Sequence, residues 1–340
     1  MGVTKAVLGH PLIAEAMIQG GVKFIADSRI ENIQFMRKAG VKTRFVLLRT
    51  ALSQAELIVR NADISLNTEI EIIRELSYFA SRQNKIHQII IMVEMGDLRE
   101  GILPENLFQF VYQVTSFPNI QIIGIGCNLA CYGGIKPNDS NMNQLSEIAI
   151  DLENEFALNL EIISGGNSAN YQWFKSTQDV GRINNLRLGE SILLGCETID
   201  RKVIAGLHTD NFQLIAEIIE SKDKPSLPYG QIGQDAFGKI PVFQDRGIRR
   251  RMIIALGRQD VLATSLRPIT PVTILGASSD HMVLDSNNSK LQVGSEVKFN
   301  LDYGGLLSVM TSPFIQKKLI SSSSLITLNP VQHKILNLNF

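Results

Sequence analysis

Tryptophan occurs once in the 340 residues, cysteine three times, and neither sign of charge is in excess, with 33 basic residues against 33 acidic ones. Each scarcity excludes something. A neutral balance argues against a nucleic-acid or membrane-surface partner, since both favour a basic excess. Cys127, Cys131 and Cys196 are odd in number, and the Cys-x3-Cys spacing of the first two has no second half to complete a metal site. Reduced thiols are therefore favoured over zinc or a disulfide. The longest apolar runs, such as "IIIMV" at 89–93, fall far short of the roughly 20 residues a bilayer crossing needs. The first residues show neither signal-peptide regions nor the Ser/Thr at position six of a myristoylation signal, so the expectation is a cytoplasmic protein with a small-molecule ligand.

What is present is alternation. Short β-branched runs at 2–7, 22–27, 43–49, 63–67, 88–95, 120–127, 159–164 and 185–190 are separated by stretches at helical spacing, at 11–20, 29–40, 53–62, 68–83, 104–116 and 142–156. Thr68 ahead of Glu71, Pro104 and Gly40 supply helix start and stop signals. Eight βα units predict a closed (β/α)8 TIM-type barrel over residues 1–200. A doubly wound open sheet is the rival, but no Gly-x-Gly-x-x-Gly turn follows the first strand. Beyond residue 200 the runs become short, β-like and punctuated by Gly, Pro and Asp, which predicts a smaller, mostly β domain over 201–320. Residues 321–340 begin with a serine run and read as an atypical appended tail with no evident pairing partner.

In a βα barrel, chemistry gathers at the C-terminal strand ends. Those ends carry Lys5, Asp27-Ser28-Arg29, Arg49, Asn67, Glu94 with Arg99, Asn128, "SGGNS" at 164–168, and Arg187 with Gly189 and Glu190. Lys5 reads blandly as a lysine snorkelling to solvent. At the end of an inner strand, near arginines, it reads instead as an amine freed for Schiff-base chemistry. In "SGGNSAN", Gly165 and Gly166 let the backbone approach an anion, Ser168 offers a hydroxyl and the following helix offers amides, although a generic Gly-rich turn explains the spacing equally well. A phosphate cradle and a reactive lysine at one mouth suggest pyridoxal 5'-phosphate, with Arg187 placed to meet its pyridine nitrogen.

With those residues in view, the sequence resembles the alanine racemase family of fold-type III pyridoxal enzymes, and within it the ornithine racemase branch, from residue 2 to about 318. "GVTKAVLGHP" resembles the segment that carries the Schiff-base lysine, here Lys5, and "VEMGDLREG" the stretch whose arginine, here Arg99, orients cofactor and substrate. "ISGGNSAN" and "LRLGE" are similar to the phosphate and pyridine segments, which implies Ser168, Gly189 and Glu190 for phosphate and Arg187 for the ring nitrogen. "LDYGGLLSVMTSP" resembles the segment whose tyrosine, here Tyr303, touches the phosphate. The resemblance implies a head-to-tail homodimer in which the β domain closes the partner's barrel mouth. An arginine on the ring nitrogen implies racemisation rather than transamination or decarboxylation.

The pattern breaks in three places. Racemisation needs proton-transfer groups on both faces of the substrate, and where the family has a tyrosine this chain has Arg258, whose pKa above about 12 bars it from acting as a base. The ring-stacking histidine is replaced by Asn128, and the family's first strand and helix ahead of the lysine are not in this sequence, whose loss would expose apolar barrel surface. Asp280 and His281 are the candidates for the second proton, with Asp260 as a third option, and Asp27, Asp280 or Glu94 for receiving the distal ammonium of ornithine or another basic amino acid. The alternative is a non-catalytic pyridoxal-phosphate carrier of the same superfamily, or a truncated inactive racemase.

Overall fold

The structure, a computed structural model, describes residues 1–320 and the backbone of 325–328. It divides into two units, Met1–Thr209 and Asp210–Phe340, with separate cores. The first unit alternates β1 (Gly2–Val3), α1 (Pro11–Gln19), β2 (Phe24–Asp27), α2 (Ile30–Lys38), β3 (Arg44–Leu47), α3 (Ala55–Asn61), β4 (Ile64–Asn67), α4 (Ile70–Arg82), β5 (His87–Met92), α5 (Pro104–Thr115), β6 (Ile120–Gly126), α6 (Asp139–Phe156) and β7 (Ile162–Ser164). Two short helices follow, α7 (Asn170–Ser176) and α8 (Glu190–Leu194).

The seven strands pair in chain order and in parallel. Residues 185–188 take the eighth position: Gly165 N–H donates to Asn185 O at 3.0 Å on the β7 side, and Val3 N–H to Leu188 O at 2.8 Å on the β1 side. This closes the ring as a TIM-type barrel. Period-two alternation sorts the strand side chains. Val3, Ala26, Val46, Ile64, Leu66, Ile90, Met92, Ile123 and Ile162 fill the lumen. Ile89, Ile91, Val93 and Ile125 face outward, where Leu107, Val111, Leu145 and Ala149 of the helices cover them. α4 shows why the helices dock: Ile73, Leu76, Ser77 and Ala80 are buried at i, i+3, i+4 and i+7.

Local departures from the sequence reading have local causes. The first strand stops at Val3, and Lys5–Val7 form a 3₁₀ turn, because Thr4 is tied to β2 instead of continuing the ladder. The run at 185–190 is held by bridges rather than by a full strand. Glu69, not Thr68, precedes α4, and no side chain caps it. The reciprocal cap lies at α6, where the Asn138 and Asn141 side chains accept from each other's backbone N–H at 3.0 and 2.9 Å.

Between barrel and helices, His87 is 2% exposed, with Nε2 2.8 Å from Ser65 Oγ, a hydroxyl that also accepts from Asn67 Nδ2 at 2.9 Å. Burial, followed by the charge of Lys85, pushes its pKa down from 6.5 to about 4. Its neutral form therefore stabilises the fold above the unfolded-state pKa, and that contribution is lost as pH falls from 6.5 towards 4. A shift of this size corresponds to about 3 kcal/mol. Urea unfolding across that window should show the acid-side decline, and His87→Gln, which keeps a hydrogen-bonding group near Ser65, should flatten it. An unchanged slope in the variant would assign the decline to other groups.

The second unit is an antiparallel sheet built from β8 (Gln213–Pro225), β9 (Ile248–Ile254), β10 (Leu266–Pro268), β11 (Thr273–Ala277), β12 (Met282–Asp285) and β13 (Glu296–Leu301), in the order β10-β13-β8-β9-β12-β11. Ile218, Met252, Ile254, Met282, Leu284, Val297 and Phe299 form its buried centre. α9 (Tyr303–Thr311) starts at Asp302, whose carboxylate accepts from Gly305 N–H at 2.7 Å. β14 (Lys317–Ile320) pairs with β15 (Leu325–Leu328), so part of the tail has a strand partner. The remainder of the 321–340 reading lies outside the described residues. Among the described residues no helix is long and apolar enough to cross a membrane, and no cluster of three metal-ligating side chains occurs.

Candidate active site

The Lys5 turn is held from below. Thr4 N–H donates to Ala26 O at 2.9 Å and Thr4 Oγ1 to Asp27 Oδ2 at 2.8 Å, while Asp27 Oδ1 accepts from Arg29 N–H at 3.0 Å and Asn32 Nδ2 at 2.9 Å. Asp27 is fully buried, and burial pushes its carboxyl pKa up against these hydrogen bonds. The backbone at Lys5 is thus fixed, yet its half-buried ammonium has no hydrogen-bond or ion-pair partner among the described residues.

Glu94, just beyond β5, accepts from Gly96 N–H at 2.6 Å and Leu98 N–H at 3.0 Å. Asp27 is therefore committed to its own loop, since both of its oxygens are bonded there. Glu94 commits only Oε1 to the amides of the turn that follows it. In the same loop Asp97, buried, accepts from Tyr132 N–H at 2.9 Å and Cys131 N–H at 3.2 Å, clamping the β5 and β6 loops together. Arg99 reaches across that clamp: it pairs with Glu100, which drives its pKa higher still, and donates to Cys131 Sγ at 2.6 Å. All three cysteines are free thiols, and burial pushes Cys127 up to about 12.

Arg187 is 6% exposed and sits inside the ring, donating to Ser164 Oγ at 2.6 Å and to Cys127 O at 2.7 Å. Ser164 Oγ in turn donates to Asn185 Oδ1 at 3.0 Å. Among the described residues no carboxylate bonds the guanidinium, and burial lowers its pKa. Gly126 makes the room, since a Cβ there would stand 3.0 Å from Ser164 Cβ and 3.5 Å from Arg187 Nη1.

The loop after β7 is cross-braced by asparagines. Asn170 Oδ1 accepts from Asn167 N–H at 3.0 Å, and Asn170 Nδ2 donates to Gly165 O at 2.7 Å. Gly166 lies at φ +139°, where its missing Cβ would come 2.2 Å from Asn170 Oδ1, so only glycine fits. Ser168 Oγ is 3.1 Å from Ser191 Oγ and accepts from Ser191 N–H at 3.2 Å, linking this loop to the start of α8 beside Gly189. The buried Glu190 carboxylate pairs with Arg201. An anion repels an anion, so Glu190 can serve a phosphate only through its backbone. Asn128, 7% exposed, accepts from Asn167 Nδ2 at 3.0 Å, and its own Nδ2 is buried without a partner.

Lys5, Arg99, Asn128, Gly165, Gly166, Ser168, Arg187, Gly189 and Glu190 thus all belong to the strand-end loops of the first unit, while Tyr303, Asp280 and His281 belong to the second. There, in the exposed turn between β11 and β12, His281 Nδ1 lies 2.7 Å from Asp280 Oδ1, a contact that lowers the Asp280 pKa. The Arg258 and Gln259 N–H groups donate to Ser278 O and Ser279 O at 2.9 Å, bringing Arg258 beside the turn that carries Asp280 and His281. Asp260 is taken up by Ser312, whose hydroxyl donates to it at 2.6 Å. Sequence reasoning gave Ser164, Asn167 and Asn170 no role of their own within "SGGNSAN" and passed over Asp97. For the asparagines a signal existed: amides three residues apart directly after a double glycine are a side-chain-to-backbone turn pattern.

Residues 1–195 match the family model described as alanine racemase, N-terminal domain. Over 323 residues the chain is 42% identical to an ornithine racemase of Acetoanaerobium sticklandii, covering 94% of this chain and 91% of that protein. A lysine racemase of Thermotoga maritima is 38% identical over 93% of this chain and 90% of its own length. In fold, an alanine racemase of Clostridium difficile superposes with a TM-score of 0.75 at 15% identity, covering 97% of this chain and 91% of that one.

Proposed function

The chain belongs to the alanine racemase family, and on that premise we propose that it is a pyridoxal 5'-phosphate-dependent racemase of a basic amino acid, ornithine first. The relatives matched over nearly their whole lengths are named for ornithine and lysine, which supports the substrate class. The cofactor is supported by the chain's own chemistry. Among the described residues, an unpaired Lys5 amine, a buried Arg187 with no bonded carboxylate, a partnerless Asn128 Nδ2 and a loop that needs glycine at 166 make a donor-rich set that suits an anionic, acceptor-rich ligand. The observation that carries the reading is the Lys5 ammonium without a partner among the described residues, on a turn that Thr4 and Asp27 hold rigid.

When bound, pyridoxal phosphate supplies the electron sink that acidifies the α-C–H of an amino acid. Lys5 would hold it covalently. Ser168 and the backbone N–H groups around Gly165, Gly166, Gly189 and Glu190, together with Tyr303, would hold its phosphate, Arg187 its ring nitrogen, and Arg99 the cofactor and substrate. Lys5 Nζ then exchanges the α-proton on one face. The Asp280–His281 pair is proposed for the other, with Asp280 accepting from Nδ1 and leaving Nε2 to move the proton. A head-to-tail homodimer and a cytoplasmic location complete the proposal.

Protein loaded with pyridoxal phosphate is incubated with L-ornithine, L-lysine or L-alanine in deuterated water, and α-deuteration and D-enantiomer are followed. Exchange and racemisation of the basic substrates, at least about a hundredfold faster than alanine, are expected. Cofactor fixed on Lys5 by borohydride without exchange of any amino acid would favour the carrier instead.

A further inference from the structure

Hydrogen-bond polarity around Asn167 leaves its neighbour a single orientation. Asn167 Oδ1 accepts from Ala169 N–H at 2.8 Å, while its Nδ2 donates to Leu129 O at 2.8 Å and to Asn128 Oδ1 at 3.0 Å. A backbone N–H only donates and a backbone carbonyl only accepts, so those two fixed groups decide which way the Asn167 amide is turned. With an N–H facing it, Asn128 must answer with its oxygen. Its NH2 therefore faces away from Asn167, and that nitrogen is the one buried without a partner. Asn128 lies two residues beyond Gly126, the last residue of β6, whose missing side chain makes room for Arg187.

We propose that Asn167 is a positioning residue that locks the Asn128 amide, making its NH2 a preset donor to an anionic oxygen of the ligand bound at the barrel mouth. The inference rests on the function proposed above and adds a polarity to it. A buried N–H without an acceptor is costly in the free protein, and the cost is relieved only when an oxygen arrives. Lys5 and Arg187 put positive charge on the same rim, so the arriving oxygen is a charged one. Two sources carry such an oxygen, the phosphorylated cofactor and the α-carboxylate of the amino acid. Preorganising the donor removes the cost of turning it at the moment of binding.

Three variants read the polarity. Asn128→Asp turns an oxygen to the ligand directly. Asn167→Asp keeps an acceptor for Ala169 but faces an oxygen to Asn128, which must then swing its amide and present its own oxygen. Asn128→Ala removes the group altogether. Each purified full-length protein is titrated with pyridoxal phosphate alone, followed by absorbance, and the loaded enzyme is then assayed for the KM of ornithine. Thermal melting of the cofactor-free proteins reports the fold. The expected result is that both aspartate variants weaken one of the two binding steps by about ten- to a hundredfold, and Asn128→Ala by less. Loss in the cofactor titration assigns the oxygen to the cofactor, and loss confined to KM assigns it to the amino-acid carboxylate. Wild-type values in both steps for Asn128→Asp overturn the proposal, even if Asn167→Asp is impaired, because Asn167 would then merely brace the loop. If Asn167→Asp does not fold, Asn128→Asp against Asn128→Ala still decides the polarity. Wild-type protein that takes up no cofactor removes the function above along with this inference, whereas a wild type that binds beside indifferent variants removes this inference alone.

Discussion

Replacing Lys5 by alanine is expected to abolish racemisation, lowering kcat by at least about a thousandfold, and to leave the folded protein intact. The two halves of that result come from one observation. The side chain is half-buried, and among the described residues nothing bonds its ammonium, so its removal breaks no hydrogen bond and opens no large cavity; the stability cost should stay within about 1 kcal/mol. What is lost is a covalent anchor and a proton-transfer group at once, each of which ordinarily contributes a factor of about a hundred or more. Lys5→Arg separates charge from chemistry. It keeps the positive charge, but it neither forms an imine nor gives up a proton near neutrality, so it should be as inactive as the alanine variant. Borohydride reduction of the cofactor-loaded protein followed by peptide mapping should place the label at Lys5 in the wild type and nowhere in either variant. A label on another lysine, or proton exchange that survives in Lys5→Ala, would remove Lys5 from the chemistry.

The barrel was legible because it is written in periodicity. Alternation in β5 sends Ile90 and Met92 to the lumen and Ile89, Ile91 and Val93 to the helices, and that pattern is visible in "QIIIMV" without coordinates. Lys5, Arg187 and "SGGNS" stood out for a related reason, being polar or glycine-rich where a strand should end. The supporting contacts were not legible, because they are non-local and depend on which atom of a side chain faces which. Nothing in the order of residues says that Ser164 is spent on Arg187 across 23 positions, or that Asn167 dictates the amide orientation of Asn128 across 39. The same blindness explains Asp27 and Glu94. In sequence each is an acid at a barrel mouth; in the fold both Asp27 oxygens are consumed by Thr4, Asn32 and the Arg29 amide, and Glu94 Oε1 by two amides of its own loop. Composition identifies charge at a rim, whereas availability is a property of three-dimensional donors.

Arg187 offers the sharper separation of stability from function. A guanidinium buried to 6% exposure without a bonded carboxylate carries a desolvation cost that two hydrogen bonds, to Ser164 Oγ and Cys127 O, offset only in part. Arg187→Met replaces it with a shorter, unbranched apolar chain. The relief of desolvation opposes the loss of those two bonds, so the cofactor-free protein should melt within a few degrees of wild type, or above it. Activity should fall by about a hundredfold or more, because the donor proposed for the ring nitrogen is gone and nothing else in the barrel replaces it. Arg187→Lys should not rescue: a single ammonium cannot reach Ser164, Cys127 O and a ligand with the planar fork that serves all three. Melting curves and deuterium-exchange rates on the same preparations give the test. Should Arg187→Met lose stability and keep its rate of exchange, the arginine would be a structural brace of β7 and the Asn185–Leu188 segment, and the ring nitrogen would need another partner.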